Sequence, residues 1–457
     1  MAAIAPALRA PLLLCLHVVL YGAAVRAWAA TGVNSGFIFE AKRGTELSPA
    51  GAVLAGSAAA CAWIIAAMFF VSRALEAAAA AAAADASAAA FSSSTSVMTT
   101  ITTAAAAAGG GAATVSTDDL VDVFRGAAGA LLLMLALFVA PWPQHAPSAL
   151  SSLVPRWVHK APLPLPRPAQ CQLPPNSTRV FFLTALARGV SAPLYHVRMM
   201  DFFLMDQITS QVAAMRDILT IVILAFGGTF ARQGAGYAPI VALVPGWLRF
   251  LQVWRRYRDD GNPTHITNAV KYGAGLVAVS IGLCVRYAEA AQAAQREGGA
   301  VNSLGSPRAW RHLYNIATWL AVLLGCMWDF FMDWGVLSLH QSYNGWSSFQ
   351  LLERRLMIKH HWKYYAAMGV NAALRNTWIL SSVPLGRGYT RVHAEVWMTV
   401  YASLEVIRRA MWSYFRVENE HTTNCGRFRA TLEVPLPFHT DELSGADDEG
   451  NSGDELE

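Results

Sequence analysis

The chain has 457 residues, of which 54% are hydrophobic and 14% are charged, and its formal net charge is +5. Soluble domains carry about 25% charged residues, so this composition excludes an ordinary soluble protein and favours a membrane protein. The basic residues form no single long patch, which excludes nucleic acid as an expected partner. The six cysteines are scattered without a CxxC pair, so we expect no zinc site, no disulfide framework, no other metal and no cofactor.

Apolar runs of about 20 residues predict membrane-spanning helices. They indicate an all-α fold, a polytopic membrane helical bundle with nine to ten transmembrane helices. The predicted spans lie at 11–29, 51–73, 125–141, 202–228, 237–256, 268–290, 312–332, 363–383 and 393–415.

Two segments leave alternatives open. Residues 11–29 are either a signal peptide or a first membrane helix, and their length favours the helix. Residues 180–197 are short, contain Arg188 and are interrupted by Pro193. They either lie along the membrane interface, which gives nine spans, or cross the membrane, which gives ten.

Composition divides the chain into five parts. Residues 1–76 hold the first two predicted helices, and residues 77–124 are an Ala/Ser/Thr-rich insert that we expect to be disordered. Residues 125–200 hold the third helix, a loop and the amphipathic or fourth helix. Residues 201–431 hold the remaining spans, and residues 432–457 form an acidic tail that we also expect to be disordered.

Basic residues follow alternate spans in the second half of the chain, which predicts a cytosolic location for these loops by the positive-inside rule. The residues are Arg255, Arg256 and Arg258, then Arg354, Arg355, Lys359 and Lys363, then Arg416, Arg427 and Arg429. The loop 142–179 is also basic and favours the cytosol, but a count of ten spans would place it in a lumen.

Two adjacent arginines, Arg408 and Arg409, lie inside the apolar stretch 392–415, with Glu405 on the same helical face. A charge at the centre of a bilayer costs roughly 3 kcal/mol on insertion scales. Such a cluster needs a water-filled cavity or counter-ions. Its two cations suggest that the cavity binds an anion.

Other ionisable residues lie within or at the ends of predicted spans. They are Asp206, Lys271, Tyr272, Asp329, Asp333 and Arg375. Arginine offers a planar fork of donors that matches phosphate oxygens, and lysine adds a point charge. Carboxylates among these cations keep an anion from being held too tightly to leave. Each residue also has a structural alternative, because Lys271 can extend to the interface and the others can form helix caps or ion pairs.

Several strings of residues resemble those of one family. The strings are GVNSGFIFE (32–40), DFFLMDQITS (201–210), GWLRFLQVWRRYRD (246–259), HITNAVKY (265–272), WDFFMDWG (328–335), LRNTW (374–378) and LEVIRRAMWSYFRVENEHTTNCGRFRA (404–430). Together they resemble the EXS family of phosphate exporters, across roughly residues 11–431 apart from the insert. The resemblance identifies residues 201–431 as the EXS domain.

The resemblance implies a transporter rather than an enzyme, which exports inorganic phosphate through a cationic path across the lipid bilayer. The residues implied for this path are Asp206, Lys271, Tyr272, Asp333, Arg375, Trp378, Glu405, Arg408 and Arg409. For Trp378, only the resemblance implies a role, as a gate or part of the wall of the path.

Larger members of the family begin with a cytosolic SPX domain, and we expect none here because the first predicted span begins near residue 11. The short Golgi members are therefore the best match. They imply phosphate transport from the lumen to the cytosol, in support of glycosylation and glycosyltransferase recycling. Golgi glycosyltransferase tails and a second copy of the chain, as a homodimer, are kept as partners to be tested.

Three other functions are alternatives to phosphate transport in the Golgi. One is a sorting protein that retains Golgi glycosyltransferases through its basic loop 353–363 and its acidic tail. Another is a phosphate exporter of the plasma membrane. A polytopic transferase is disfavoured, because the sequence shows no convincing metal-binding acidic pair and no nucleophile–base pair.

Overall fold

The computed structural model describes residues 5–41, 124–129, 131–132, 176–226, 238–296, 305–341, 347–352, 356–379 and 391–428. The predicted span at 51–73, nearly all of the insert and the acidic tail lie outside these residues.

Most of the described residues are helical, as the apolar periodicity predicted. The helices are α1 (Ala5–Ala30), α2 (Asn176–Val190), α3 (Met199–Thr209), α4 (Val212–Phe226), α5 (Leu243–Asp260), α6 (Thr264–Arg296), α7 (Pro307–Trp328), α8 (Trp362–Arg375) and α9 (Arg391–Thr423).

Shorter elements join these helices. They include a helical turn at Ser35–Ile38, a 3-10 helix at Ala238–Ala242 and a π-helix at Asp329–Asp333 that directly continues α7. The strands β1 (Leu337–Gln341) and β2 (Ser347–Leu351) pair in an antiparallel hairpin. This hairpin is an addition to the all-α fold that the sequence predicted.

Three described helices are long and apolar enough to cross a membrane, namely α1, α6 and α7 with its π-helical continuation. The pair α3 and α4 is a fourth candidate if it forms one bent span. The nine to ten spans that the sequence predicted are therefore not confirmed by the described residues. Helices α5 and α9 coincide with predicted spans, but polar and charged side chains make them less apolar than these candidates.

The ambiguous segment at 180–197 begins in helix α2, which has 15 residues. A helix of that length extends about 22 Å, which is shorter than the roughly 30 Å hydrocarbon core of a bilayer. Arg188, near its C-terminal end, lies 2.9 Å from a carboxylate oxygen of Asp201 at the start of α3. Helix α2 is therefore tied to α3 by this ion pair, and its described part alone does not reach across the hydrocarbon core.

The predicted span at 202–228 is broken. Helices α3 and α4 meet at an angle of 71° around Ser210 and Gln211. The hydroxyl of Thr209 donates to the carbonyl of Asp206 at 2.7 Å, and the Ser210 N–H bonds the Gln207 carbonyl at 3.1 Å. Such short-range bonds compete with the regular helical pattern and end α3 in the middle of an apolar run.

Helices α1 and α9 run side by side in the same direction, and a buried ion cluster and an aromatic cluster join them. Arg9 of α1 donates to both oxygens of Asp217 on α4, at 2.6 and 2.9 Å, and to Glu395 on α9 at 2.7 Å. At the other end, the indole N–H of Trp28 donates to the Tyr414 carbonyl at 3.3 Å. These contacts hold α1, α4 and α9 as one unit.

Candidate functional site

A large cavity of about 1040 Å³ lies among α3, α4, α5, α6, α7, α8 and α9. Its wall includes seven residues that the sequence assigned to the path, namely Asp206, Lys271, Tyr272, Asp333, Arg375, Glu405 and Arg409. Two others, Arg408 and Trp378, are not part of the wall. The cavity therefore brings together most of the residues that the sequence assigned to the path.

The break between α3 and α4 faces this cavity. Thr209 and Ser210 line it from the end of α3, and Val212 and Ala213 line it from the start of α4. The first N–H groups of a helix have no partner within the helix and carry partial positive charge. A broken helix of this kind presents such an end to an anion within the membrane.

Arg409 is the cation that α9 presents to the break. Its Nε donates to the Ser210 hydroxyl at 2.9 Å and its Nη2 donates to the Thr209 hydroxyl at 2.9 Å. The guanidinium lies over the ring of Trp412, 4.6 Å from its centre. Among the described residues Arg409 forms no ion pair with a carboxylate, although its side chain is only 8% exposed. Neutral hydroxyls satisfy its donors without cancelling its charge.

Arg408, the next residue toward the N-terminus, is neutralised. Its Nε and Nη2 donate to the two oxygens of Glu405 at 2.7 and 2.6 Å. Its Nη1 donates to the Asn371 amide oxygen at 3.1 Å and lies 3.9 Å from Asp329. Successive residues of a helix point about 100° apart, which separates the roles of two adjacent arginines. Arg408 therefore lies behind the cavity wall and fixes Glu405.

Arg375 reaches the cavity from the last turn of α8. Its Nε and Nη2 both donate to one oxygen of Asp329, at 2.9 and 2.6 Å, and the Asn371 amide donates to the same oxygen at 2.8 Å. A Cβ built on Gly325 of α7 would lie 2.7 Å from Nη1 of Arg375. The absence of a side chain at Gly325 thus makes room for this guanidinium.

Lys271 lies on α6, and aromatic rings surround its ammonium group. Its Nζ is 4.2 Å from the centre of the Tyr272 ring and 5.0 Å from that of Trp328. It forms no hydrogen bond or ion pair with any described residue. Lys271 and Arg409 are therefore cations of the cavity wall that no described carboxylate contacts directly, and both lie within electrostatic range of Asp206.

Asp206 accepts hydrogen bonds from a residue that sequence reasoning missed. Arg249 of α5 donates to Oδ1 of Asp206 at 2.8 Å, and the Tyr272 hydroxyl donates to the same oxygen at 2.9 Å. Arg249 is fully buried and also lies over the Phe202 ring, 4.3 Å from its centre. Its position inside the predicted span at 237–256 was the available signal, by the same argument that selected Arg408 and Arg409.

Asp333 ends the π-helix, where three donors surround it. The indole N–H groups of Trp328 and Trp412 donate to it at 3.3 and 3.2 Å, and Nε of Arg416 lies 3.6 Å away. This arrangement packs aromatic rings and Arg416 at that end of the cavity. Trp378 lies three residues beyond the end of α8 and outside the cavity wall, so its role as a gate remains a proposal.

Helix α1 supports the break from the side opposite the cavity. The side-chain amide of Gln211, the residue between the two half-helices, lies 3.0 Å from Nδ1 of His17. The Gln207 amide donates to the Ser413 hydroxyl of α9 at 2.9 Å. The turn that positions Thr209 and Ser210 is thus fixed by both α1 and α9.

Comparison with known proteins identifies the chain. The EXS family model matches residues 4–422. The chain belongs to the EXS family. With its apolar helices, this membership makes the chain an integral membrane protein, as the composition predicted.

Similar proteins include plant proteins named as phosphate transporters. Phosphate transporter PHO1 homolog 8 of Arabidopsis thaliana is 36% identical over 281 residues, which are 60% of this chain and 34% of that protein. Phosphate transporter PHO1-1 of Oryza sativa subsp. japonica is 34% identical over 274 residues, which are 58% of this chain and 31% of that protein. Phosphate transporter PHO1 of Arabidopsis thaliana is 33% identical over 271 residues, 57% of this chain and 32% of that protein. The matched part spans about a third of the length of these relatives.

The close approach of Arg375 to Gly325 predicts that alanine substitutions at two glycines shift the thermal midpoint in opposite directions. Alanine at an unhindered helical position stabilises a protein by roughly 0.5–1 kcal/mol relative to glycine. Gly369→Ala in α8 meets no atom within 4 Å and is expected to raise the thermal midpoint of the purified protein. Gly325→Ala is expected to lower it, because the new methyl displaces Arg375 from Asp329 and leaves a buried carboxylate short of donors, at a cost of about 1–3 kcal/mol. A shift of both midpoints in the same direction would contradict this role of Gly325.

Proposed function

We propose that this chain transports inorganic phosphate across a membrane through the cavity, with Arg409 as the principal phosphate contact. The observation that carries the proposal is the state of this guanidinium, which is buried, lines the cavity and is held by two hydroxyls instead of a carboxylate. Its charge is therefore free to balance an anion. The names of the plant relatives support phosphate as that anion.

Binding requires only local rearrangement. A hydroxyl both donates and accepts, so Thr209 and Ser210 can turn their O–H groups from the Asp206 carbonyl and Glu405 toward phosphate oxygens and release Arg409. Arg409 then donates its fork of N–H groups to the phosphate, and the N-terminal end of α4 adds partial positive charge. Lys271, which lines the same cavity and contacts no described carboxylate, supplies further positive charge, whereas Arg375 lines the cavity as a partner of Asp329.

Release requires that this site not be too strong. Asp206 and Glu405 line the cavity close to Arg409, and Ser210 already donates to Glu405 at 2.7 Å. These carboxylates compete with phosphate for the same cations, which is the compromise that conduction demands. In this proposal Tyr272 orients Asp206, Arg408 orients Glu405, Asp333 closes one end of the cavity, and Trp378 gates the path beyond α8. The function is transport rather than catalysis.

Flux measurements with reconstituted protein test the proposal. Arg409→Ala is expected to lower the initial rate of labelled phosphate flux into proteoliposomes at low phosphate concentration. Loss of charge-assisted hydrogen bonds worth about 1.5–3 kcal/mol corresponds to roughly ten- to hundredfold slower flux. Arg258→Ala serves as the control, because Arg258 is an exposed arginine at the end of α5 and does not line the cavity.

Circular dichroism and size-exclusion chromatography establish that each variant is folded before its flux is compared. Arg409→Lys, which keeps the charge but loses the planar fork, is expected to fall between wild type and Arg409→Ala. Flux at the wild-type rate from folded Arg409→Ala protein would overturn the proposed mechanism.

We further propose that the transport runs from the Golgi lumen to the cytosol and supports glycosylation and glycosyltransferase recycling. One support is the resemblance to the short Golgi members. The other is the basic residues that follow α5 and α9, which by the positive-inside rule favour a cytosolic location for these two segments. Retention of glycosyltransferases by direct sorting would use loop 353–363 and the acidic tail; residues 353–355 of this loop and the whole tail lie outside the described residues.

Localisation of the tagged full chain tests this membrane assignment separately from transport. Co-localisation with a Golgi marker is the expected result. Accumulation at the plasma membrane, with normal phosphate flux, would exclude the Golgi assignment and support an exporter of the cell surface.

A further inference from the structure

The cavity extends far beyond the charged site beside Arg409. Along α6 its wall runs from Lys271 to Arg286 and Glu289, and along α7 it runs from Asp329 back to Arg311. At 1.5 Å per residue, Lys271 and Arg286 are about 22 Å apart. That distance approaches the thickness of the hydrocarbon core.

Between its two ends the α6 side of the wall is small and apolar. Gly275, Leu276, Val279 and Gly282 line this middle part. The charged side chains of the wall are thus divided into a deep group around Arg409 and an outer group. The outer group, near the end of α6 and the start of α7, consists of Arg286, Glu289 and Arg311.

The outer group carries an excess of positive charge. Arg286 is exposed and forms no hydrogen bond or ion pair with any described residue. Arg311 pairs with Glu289 across the α6–α7 contact, and both side chains are substantially exposed. Arg216 also lines the cavity, but it lies on α4 near the break and is held by Asp217 at 3.0 Å, so it does not belong to this group. Glu289 is therefore the carboxylate of this part of the wall, and it is set against two arginines, Arg286 and Arg311.

We propose that Arg286 and Arg311 form an outer anion-binding station that captures phosphate at the mouth of the cavity before it moves to Arg409. The inference rests on the proposed transport function and adds a second site to it. The station lies at the end of α6 farthest from the basic residues that follow α5, and hence faces the non-cytosolic compartment.

The separation of the two groups determines what the outer station controls. The deep and outer groups are about 22 Å apart, whereas salt screens exposed charges over roughly 8 Å at physiological ionic strength. The outer arginines therefore raise the local phosphate concentration and the capture rate without altering events at Arg409. Glu289 opposes them, because it pairs with Arg311 when no anion is bound.

The flux assay tests the outer station through two substitutions that are expected to change the KM for phosphate in opposite directions. Arg286→Glu is expected to raise the KM for phosphate about fivefold or more with little change in kcat, and high ionic strength is expected to reduce the effect. Glu289→Gln is expected to lower KM. Arg296→Glu and Arg308→Glu are the matched controls, because they place the same charge change on the same ends of α6 and α7 but outside the cavity wall. Equal KM increases from Arg286→Glu and from these controls would overturn the station, since they would show only a general surface potential.

A binding measurement separates this inference from the transport proposal. Full-length Arg409→Ala protein in detergent is expected to keep saturable binding of labelled inorganic phosphate. That binding is expected to disappear when Arg286→Glu and Arg311→Glu are added. Loss of all phosphate binding in the Arg409→Ala protein would refute the outer station, but it would remain consistent with the proposed site at Arg409. If the wild-type protein binds phosphate but shows no flux, and this binding is lost in the variant with Arg286→Glu and Arg311→Glu, the result would support the station and refute transport.

Discussion

The arrangement rests on one contact, between the guanidinium of Arg409 and the two hydroxyls at the break between α3 and α4. A buried cation normally requires a carboxylate, because removal of its charge from water is costly. Here Thr209 and Ser210 satisfy the donors while the charge is retained, and the N-terminal end of α4 adds to it. In the proposed mechanism the break is essential, since an unbroken helix would bond its own backbone and would present no helix N-terminal N–H groups to the cavity.

Most of the other charged side chains around Arg409 are paired with each other, so only a few described charges in this region lack an oppositely charged partner. Arg408 is bound by Glu405 and Asn371, Arg375 by Asp329, and Arg249 by Asp206. Each pair joins different parts of the chain or fixes a cavity-lining carboxylate, so the ion pairs act as positioning contacts for side chains that are mostly buried. Removal of one partner from such a pair leaves an uncompensated buried charge, which is far more destabilising than replacement of both.

The sequence predicted the helical fold and the locations of α1, α6 and α7, because long apolar runs are a strong signal. The rule that charges are rare inside apolar helices also selected most of the charged side chains of the cavity wall, including Asp206, Lys271 and Arg409. It did not separate Arg409 from Arg408, since the partners that distinguish them come from α3 and α8, distant in the chain. The bend at Ser210 was missed because hydropathy is continuous through 202–228, whereas the break depends on individual hydroxyl bonds. The pair of Arg9 with Asp217 shows the same limit, because long-range pairing is not encoded in a local pattern, whereas Arg249 did carry the local signal of a charge inside a predicted span.

The most direct test of the central claim is a cryo-EM structure of the full chain in phosphate, compared with one in a phosphate-free buffer. The account predicts added density within about 3 Å of the Arg409 guanidinium, with the hydroxyls of Thr209 and Ser210 turned toward it. Density at Arg408 but not at Arg409, or a carboxylate bound to Arg409 in both structures, would contradict it.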